Sequence, residues 1–196
     1  MATAALADDK PKPARKHSDG PLAVEDFEGK PDPSSSFAAW SHLQFEFSFG
    51  YRFERLRGGR VSLSLTKIDV WSQIKRDQSW IRRPKDPLLL DHEQGHFDIA
   101  EAHALAGRIK LRTLIQASAP QLTLQADSEE AGRQAMHDKL VELLKPFIDD
   151  SRTANQEYDR DTANGTDAAA QADARKQQRE RLHQLHKELE KLTKAE

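Results

Sequence analysis

Between Phe45 and Phe53 every second residue is aromatic: Phe45, Phe47, Phe49, Tyr51 and Phe53 alternate with Glu46, Ser48, Gly50 and Arg52. Period-two spacing of this length fits an extended strand, because a helix would scatter the rings around its whole circumference. Arg57-Gly58-Gly59-Arg60 follows, and paired glycines accept the positive φ values of a hairpin turn. Val61, Leu63 and Leu65 then alternate with Ser62, Ser64 and Thr66. The phase slips at Lys67, and Ile68 and Val70 continue on the other parity, which predicts a bulge. Residues 44–71 therefore read as an antiparallel hairpin, with Trp71 and Trp80 closing one end of the core.

After the hairpin the pattern turns helical. The stretch 88–117 is rich in Leu, Ala, His and charge and stops before Pro120. A second helix starts near Asp127 or Ser128, where Glu130 offers a capping box. Met136, Leu140, Leu143, Leu144, Phe147 and Ile148 give it an apolar stripe, and Pro146 predicts a kink or break. It reaches about Thr162 before Asn164-Gly165. A third helix covers about 167–194, with Leu182, Leu185, Leu189 and Leu192 forming a short heptad-like seam. The seam offers either packing against the parent domain or homo-oligomer contact, and its shortness favours the first.

The expected fold class is thus α+β: a small antiparallel sheet on the first long helix and a second long helix, with an extended C-terminal helix. Residues 1–36, mixing proline, serine and charge, read as a flexible, disordered leader with docking confined to about 22–31. Residues 37–166 form the expected main domain, and 167–196 the C-terminal helix. Ala4-Ala5-Leu6-Ala7 before Asp8-Asp9 resembles the end of a signal peptide without its apolar core.

Composition removes several functions. The 196 residues carry 30 Lys and Arg against 32 Asp and Glu, so no basic excess exists to bind nucleic acid. No apolar run approaches the roughly 20 residues of a membrane span. Cysteine is absent, which excludes disulfides, thiolate nucleophiles and iron–sulfur clusters, and leaves any metal to His and carboxylate. With the signal-like N-terminus, this favours a periplasmic or extracellular setting over the cytoplasm.

The stretch Leu88-Leu89-Leu90-Asp91-His92-Glu93-Gln94-Gly95-His96-Phe97-Asp98-Ile99-Ala100-Glu101 carries the chemistry. His92 and His96 lie four apart on a helix, so both imidazoles face one metal ion from successive turns. Glu93 sits beside the first ligand and reaches a metal-activated water without ligating. This is the HExxH arrangement of zinc peptidases, in which the carboxylate takes the water's proton and passes it to the leaving amine. Chance produces such a motif in roughly 2% of chains with this histidine content, which favours the metal reading over an incidental histidine pair. A third ligand must come from another element, because Asp98 points away around the helix and Glu101 and His103 lie too far along it. The acidic run Glu157-Tyr158-Asp159-Arg160-Asp161 is the expected donor, with Glu157, Asp161 and Asn164 on one helical face and Tyr158 as a hydrogen-bond donor to an oxyanion. A solvated helix end is the plain alternative for the same acids.

The run His92 to Glu101 resembles the signature of the DUF922 family of bacterial zinc-dependent proteases. Asp26-Phe27-Glu28-Gly29-Lys30-Pro31 is similar to that family's early segment, and Tyr158-Asp159-Arg160-Asp161-Thr162 to a later one. The resemblance implies a bacterial, often exported zinc peptidase acting on peptides or proteins. In the family pattern a histidine usually stands where this chain has Asn164, so Asp161 is the expected third ligand, with Glu157 or no third ligand as alternatives. The catalytic set is then Glu93 and Tyr158, and the metal set His92, His96 and Asp161, with Zn2+ as cofactor. An extended peptide is expected on the edge of the 60–71 strand. The rival reading is a catalytically silent relative acting as a binding or assembly module, with or without a structural metal; Asn164 and the leucine seam motivate it.

Overall fold

The computed structural model describes residues 13–194, and the fold is α+β. The signal-like Ala4–Asp9 stretch lies outside the described residues. Strand β1 (Arg15–Lys16) is followed by β2 (Ala39–Trp40), β3 (Leu43–Arg55), β4 (Val61–Ile74) and β5 (Trp80–Ile81). Helix α1 (Pro87–Gln116), strand β6 (Thr123–Ala126), helix α2 (Glu129–Asp161) and helix α3 (Ala168–Lys194) complete the order. None of these helices is long and apolar enough to cross a membrane.

The hairpin forms as the alternation requires. β3 and β4 pair antiparallel from Leu43↔Ile74 to Arg55↔Val61. Gly58 and Gly59 turn the chain with φ of 77° and 85°, which a side chain would resist. Gly50 pairs with Lys67 but Tyr51 pairs with Leu65, so Thr66 is the extra residue of a bulge. That insertion keeps Leu65, Ile68 and Val70 all on the buried face despite their change of parity. Phe45, Phe47 and Phe49 flank the same core, opposite Met136, Leu140 and Leu144 of α2. Trp80 is buried. Trp71 instead stands opposite Glu46, off the core face, with the Lys16 ammonium 4.0 Å above its ring.

The sheet edge differs from expectation. β4 is the central strand, paired with β3 on one side and with β1 and β6 at the ends of the other. Side chains of α1 close the interval between β1 and β6: Glu101 accepts from Ser72 N and Oγ at 2.8 Å each, and Arg112 donates to Ile68 O. The edge of the 60–71 strand is therefore taken. Among the described residues no strand pairs with the outer edge of β3.

Residues 15–31 are also not a loose leader. Asp26, 1% exposed, joins Arg15 at 2.6 Å and Arg76 at 2.9 Å. β1 pairs with the end of β4, Leu22 N donates to Gln94 Oε1, and Leu22 and Phe27 pack on Phe97. Ionic partners distant in sequence hold this segment, and composition alone does not reveal them.

Helix α1 is the hub. Asp86 caps it by accepting from Leu88 N and Leu89 N, with Pro87 at the first helical position. Its faces meet the sheet, α2 and α3. Ser128 caps α2 by accepting from Ala131 N, which puts Glu130 at the second helical position and out of reach of a capping box. α2 runs through Pro146 unbroken; full burial of Met136, Leu140 and Leu144 offsets the roughly 3 kcal/mol that an interior proline costs. In α3, Leu182 and Leu185 are buried against Leu105 and Ile109 of α1, with Leu189 and Leu192 alongside. The seam is thus covered within the chain.

Behind the motif lies a cleft of about 330 Å³ lined by His17, Gln94, Asp98, Arg175 and Leu182. Its polar groups pair with one another. Asp98 accepts from His17 at 2.8 Å, Gln94 at 2.7 Å and Arg175 at 2.5 Å, and Arg175 also reaches Asp91 at 3.1 Å. Burial alone would raise the Asp98 carboxyl, but the bonds from His17 and Arg175 prevail and hold it below its ordinary value. A depressed carboxyl stabilises the fold above its unfolded pKa, about 3.9, and that contribution disappears as pH falls through the lower folded value. Melting temperatures taken from neutral pH downward should therefore fall more steeply below about pH 4 in the native protein than in Asp98→Asn. Equal acid slopes would remove Asp98 from the account.

Candidate metal centre

The HExxH residues occupy the part of α1 that faces the C-terminal third of α2. His92 is 3% exposed and Glu93 4% exposed. The two imidazoles meet edge to face with centroids 4.7 Å apart, and their Nε2 atoms are 3.1 Å apart. Asp159 Oδ1 lies 3.1 Å from His92 Nε2 and 3.0 Å from His96 Nε2. Three donor atoms from two helices thus form a nearly equilateral triangle. Donors held tetrahedrally at the usual zinc distances stand about 3.3 Å apart, so the triangle has the dimensions of one face of such a shell. Among the described residues this is the one group of three acidic or histidine side chains so gathered.

The carboxylate gathered with the two imidazoles is Asp159, where Asp161 was the expected one. α2 turns Ser151, Asn155, Tyr158 and Thr162 toward α1, and Asp159 flanks that row. Asp161 is 64% exposed in its side chain and pairs with its neighbour Arg160 at 3.0 Å. Glu157 is exposed too. These acids do share a helical face, but it is the solvent face. Asn164 is exposed as well, with φ of 53° in the turn after α2, and its N–H donates to Asp159 O at 2.7 Å. The histidine usual in the resembled family has no counterpart in this triangle.

Tyr158 is buried at the centre. Its ring stacks on His92 at 4.8 Å and meets His96 edge-on at 5.1 Å, and its hydroxyl has no hydrogen-bond partner. Burial pushes the phenol well above its ordinary pKa, helped by Asp91, Glu93 and Asp159 against Arg175, so the hydroxyl keeps its proton. Gly95 makes room for this ring, because a Cβ there would lie 2.3 Å from the Tyr158 hydroxyl. Gly165, with φ of 78°, closes over the other ligand; a Cβ would lie 2.8 Å from the His92 ring.

Burial raises the Asp159 carboxyl, but hydrogen bonds from His92 and His96 outweigh it and hold the group far below the usual carboxylate range. Burial lowers His96, yet the bond to Asp159 and the charges of Glu93 and Asp159 bring it above the ordinary imidazole value. Two imidazoles and one carboxylate at these spacings would suit Zn2+.

Two contacts were not legible in the sequence. Ser41, just after β2, donates to Glu93 Oε2 at 2.5 Å. Asn155 lies against His96 Nδ1 at 2.7 Å. A polar residue four positions from Asp159 on α2 is the only sequence signal for the second, and nothing in the local pattern marks the first. No protein-family model, curated protein or solved structure matches this chain.

Proposed function

We propose that this protein is a zinc-dependent metallopeptidase, with His92, His96 and Asp159 as the metal ligands. The observation that carries the reading is the triangle of donor atoms with a buried carboxylate, Glu93, next to one of its ligands in sequence. Bound zinc would supply Lewis acidity and lower the pKa of a water molecule toward neutrality. Glu93 would serve as the general base toward such a water and return the proton to the leaving amine, with Ser41 holding the carboxylate in place. The protonated Tyr158 hydroxyl has no partner of its own but is buried against Gly95, so a part as donor to the scissile carbonyl oxygen requires its ring to leave that contact. The free edge of β3 begins two residues after Ser41, so a peptide added there as a strand would run past Glu93.

A binding or assembly module is the alternative reading, with two features bearing on it. Asn164 lies outside the donor triangle, and the leucine seam already packs on α1.

The ligand assignment separates two neighbouring aspartates. Asp159→Ala should lose zinc from a stoichiometric complex, with affinity falling by 100-fold or more on the scale of about 3–5 kcal/mol for breaking a buried charged contact. Asp161→Ala should bind zinc as the native protein does. Competition titration against a chromogenic chelator reads both, and loss of zinc from Asp161→Ala alone would reverse the assignment.

A further inference from the structure

The amide of Asn155 has its direction set by its own helix. Its Nδ2 donates to Ser151 O, one turn back, at 2.8 Å. That leaves Oδ1 facing His96 Nδ1 at 2.7 Å. The reverse orientation would press the amide oxygen against the Ser151 carbonyl, two acceptors with no hydrogen between them. An amide oxygen brings no proton, so the hydrogen of this bond sits on His96 Nδ1. Neutral imidazole carries only one, and Nε2 then keeps its lone pair. Nε2 is the atom in the donor triangle, 3.0 Å from Asp159 Oδ1. The other histidine is treated differently: His92 Nδ1 is buried and has no partner. With His96 Nε2 bare, the hydrogen inside the triangle is on His92 Nε2, which stands 3.1 Å from both His96 Nε2 and Asp159 Oδ1.

We propose that Asn155 is a positioning residue that locks His96 in the Nδ1–H tautomer and so presents Nε2 to zinc in the triangle of His92, His96 and Asp159. The inference rests on the metal reading above. It assigns the pre-organisation of the centre to α2, which contributes both the carboxylate ligand and the group that orients the imidazole ligand opposite it. Partners of this outer kind are worth about 10–100-fold in metal affinity.

The test compares the native protein with Asn155→Leu and Asn155→Asp. Leucine keeps the volume and removes the acceptor. Aspartate keeps an acceptor on Nδ1–H. Its second oxygen takes the place of Nδ2, 2.8 Å from Ser151 O, a repulsion that lowers stability but leaves the acceptor in place. The Ser151 hydroxyl, 3.5 Å away, can turn to donate to that second oxygen. Nitrogen-15 spectra of the zinc-free proteins, at a pH where His96 is neutral, read the tautomer directly. Zinc titration reads affinity. The expected result is the Nδ1–H form in the native protein and in Asn155→Asp, loss of that preference in Asn155→Leu, and zinc binding about 10–100-fold weaker in the leucine variant alone. An Nε2–H form in the native protein, an unchanged tautomer in Asn155→Leu, or unchanged zinc affinity after the tautomer has shifted would each overturn it. A purely packing role for Asn155 would weaken both variants alike. If the native protein binds no zinc at all, the metal reading itself fails, while the spectra still report whether Asn155 holds the ring.

Discussion

Glu93→Gln should leave a folded, zinc-loaded protein whose peptide hydrolysis is slower by about 10²–10⁴-fold, the usual worth of a positioned general base. The amide has the volume of the carboxylate and still accepts a hydrogen bond from Ser41, so the local contacts survive. What it lacks is the capacity to take a proton at neutral pH. Because Glu93 is 4% exposed and outside the donor triangle, zinc content should match the native protein. Fluorogenic peptide mixtures give the rate and elemental analysis gives the metal. Native-level hydrolysis in this variant would remove Glu93 from its role, and concurrent loss of zinc would make it a ligand instead.

Gly95→Ala is the second large effect, and its sign opposes helix propensity. At an exposed interior position the change would stabilise a helix by about 1 kcal/mol. Here the new methyl would lie 2.3 Å from the Tyr158 hydroxyl and 2.7 Å from Cε1. The ring cannot swing aside freely, since it stacks on His92 and abuts His96. α2 must move outward, taking Asp159 with it. Overpacking of this kind costs about 1–3 kcal/mol, and the donor triangle opens at the same time. Thermal denaturation of the zinc-free proteins should show a lower midpoint for the variant, with weaker zinc binding alongside. A higher midpoint would mean that the helices have slack at this contact.

The elements that the sequence specifies well are those with a strong period. The aromatic alternation of β3, the Gly58-Gly59 turn, the bulge beside Lys67 and the span of α1 all appear as expected. The motif itself is local, since residues four apart on one helix must share a face. What failed is the phase of α2 at its C-terminal end. The row turned inward there is Ser151, Asn155, Tyr158 and Thr162, in which only Tyr158 is large. Its inward direction is set by the gap over Gly95 on another helix, so neither apolar pattern nor charge could show it. Helical spacing groups Glu157, Asp161 and Asn164 as candidates, whereas the packing brings Asp159 to the two imidazoles. The docking of residues 15–21, beyond the expected 22–31, escapes the sequence for a related reason: Asp26 reads as polar in isolation and is buried only because Arg15 and Arg76 meet it there.

The central claim is that two histidines and one aspartate hold a metal ion, and its most direct measurement is the zinc content of the purified protein with a His96→Ala control. The account predicts one zinc per chain in the native protein, retained through dialysis, and none in His96→Ala. A native protein that takes up no zinc after reconstitution at neutral pH, or a variant that keeps its full complement, would contradict it.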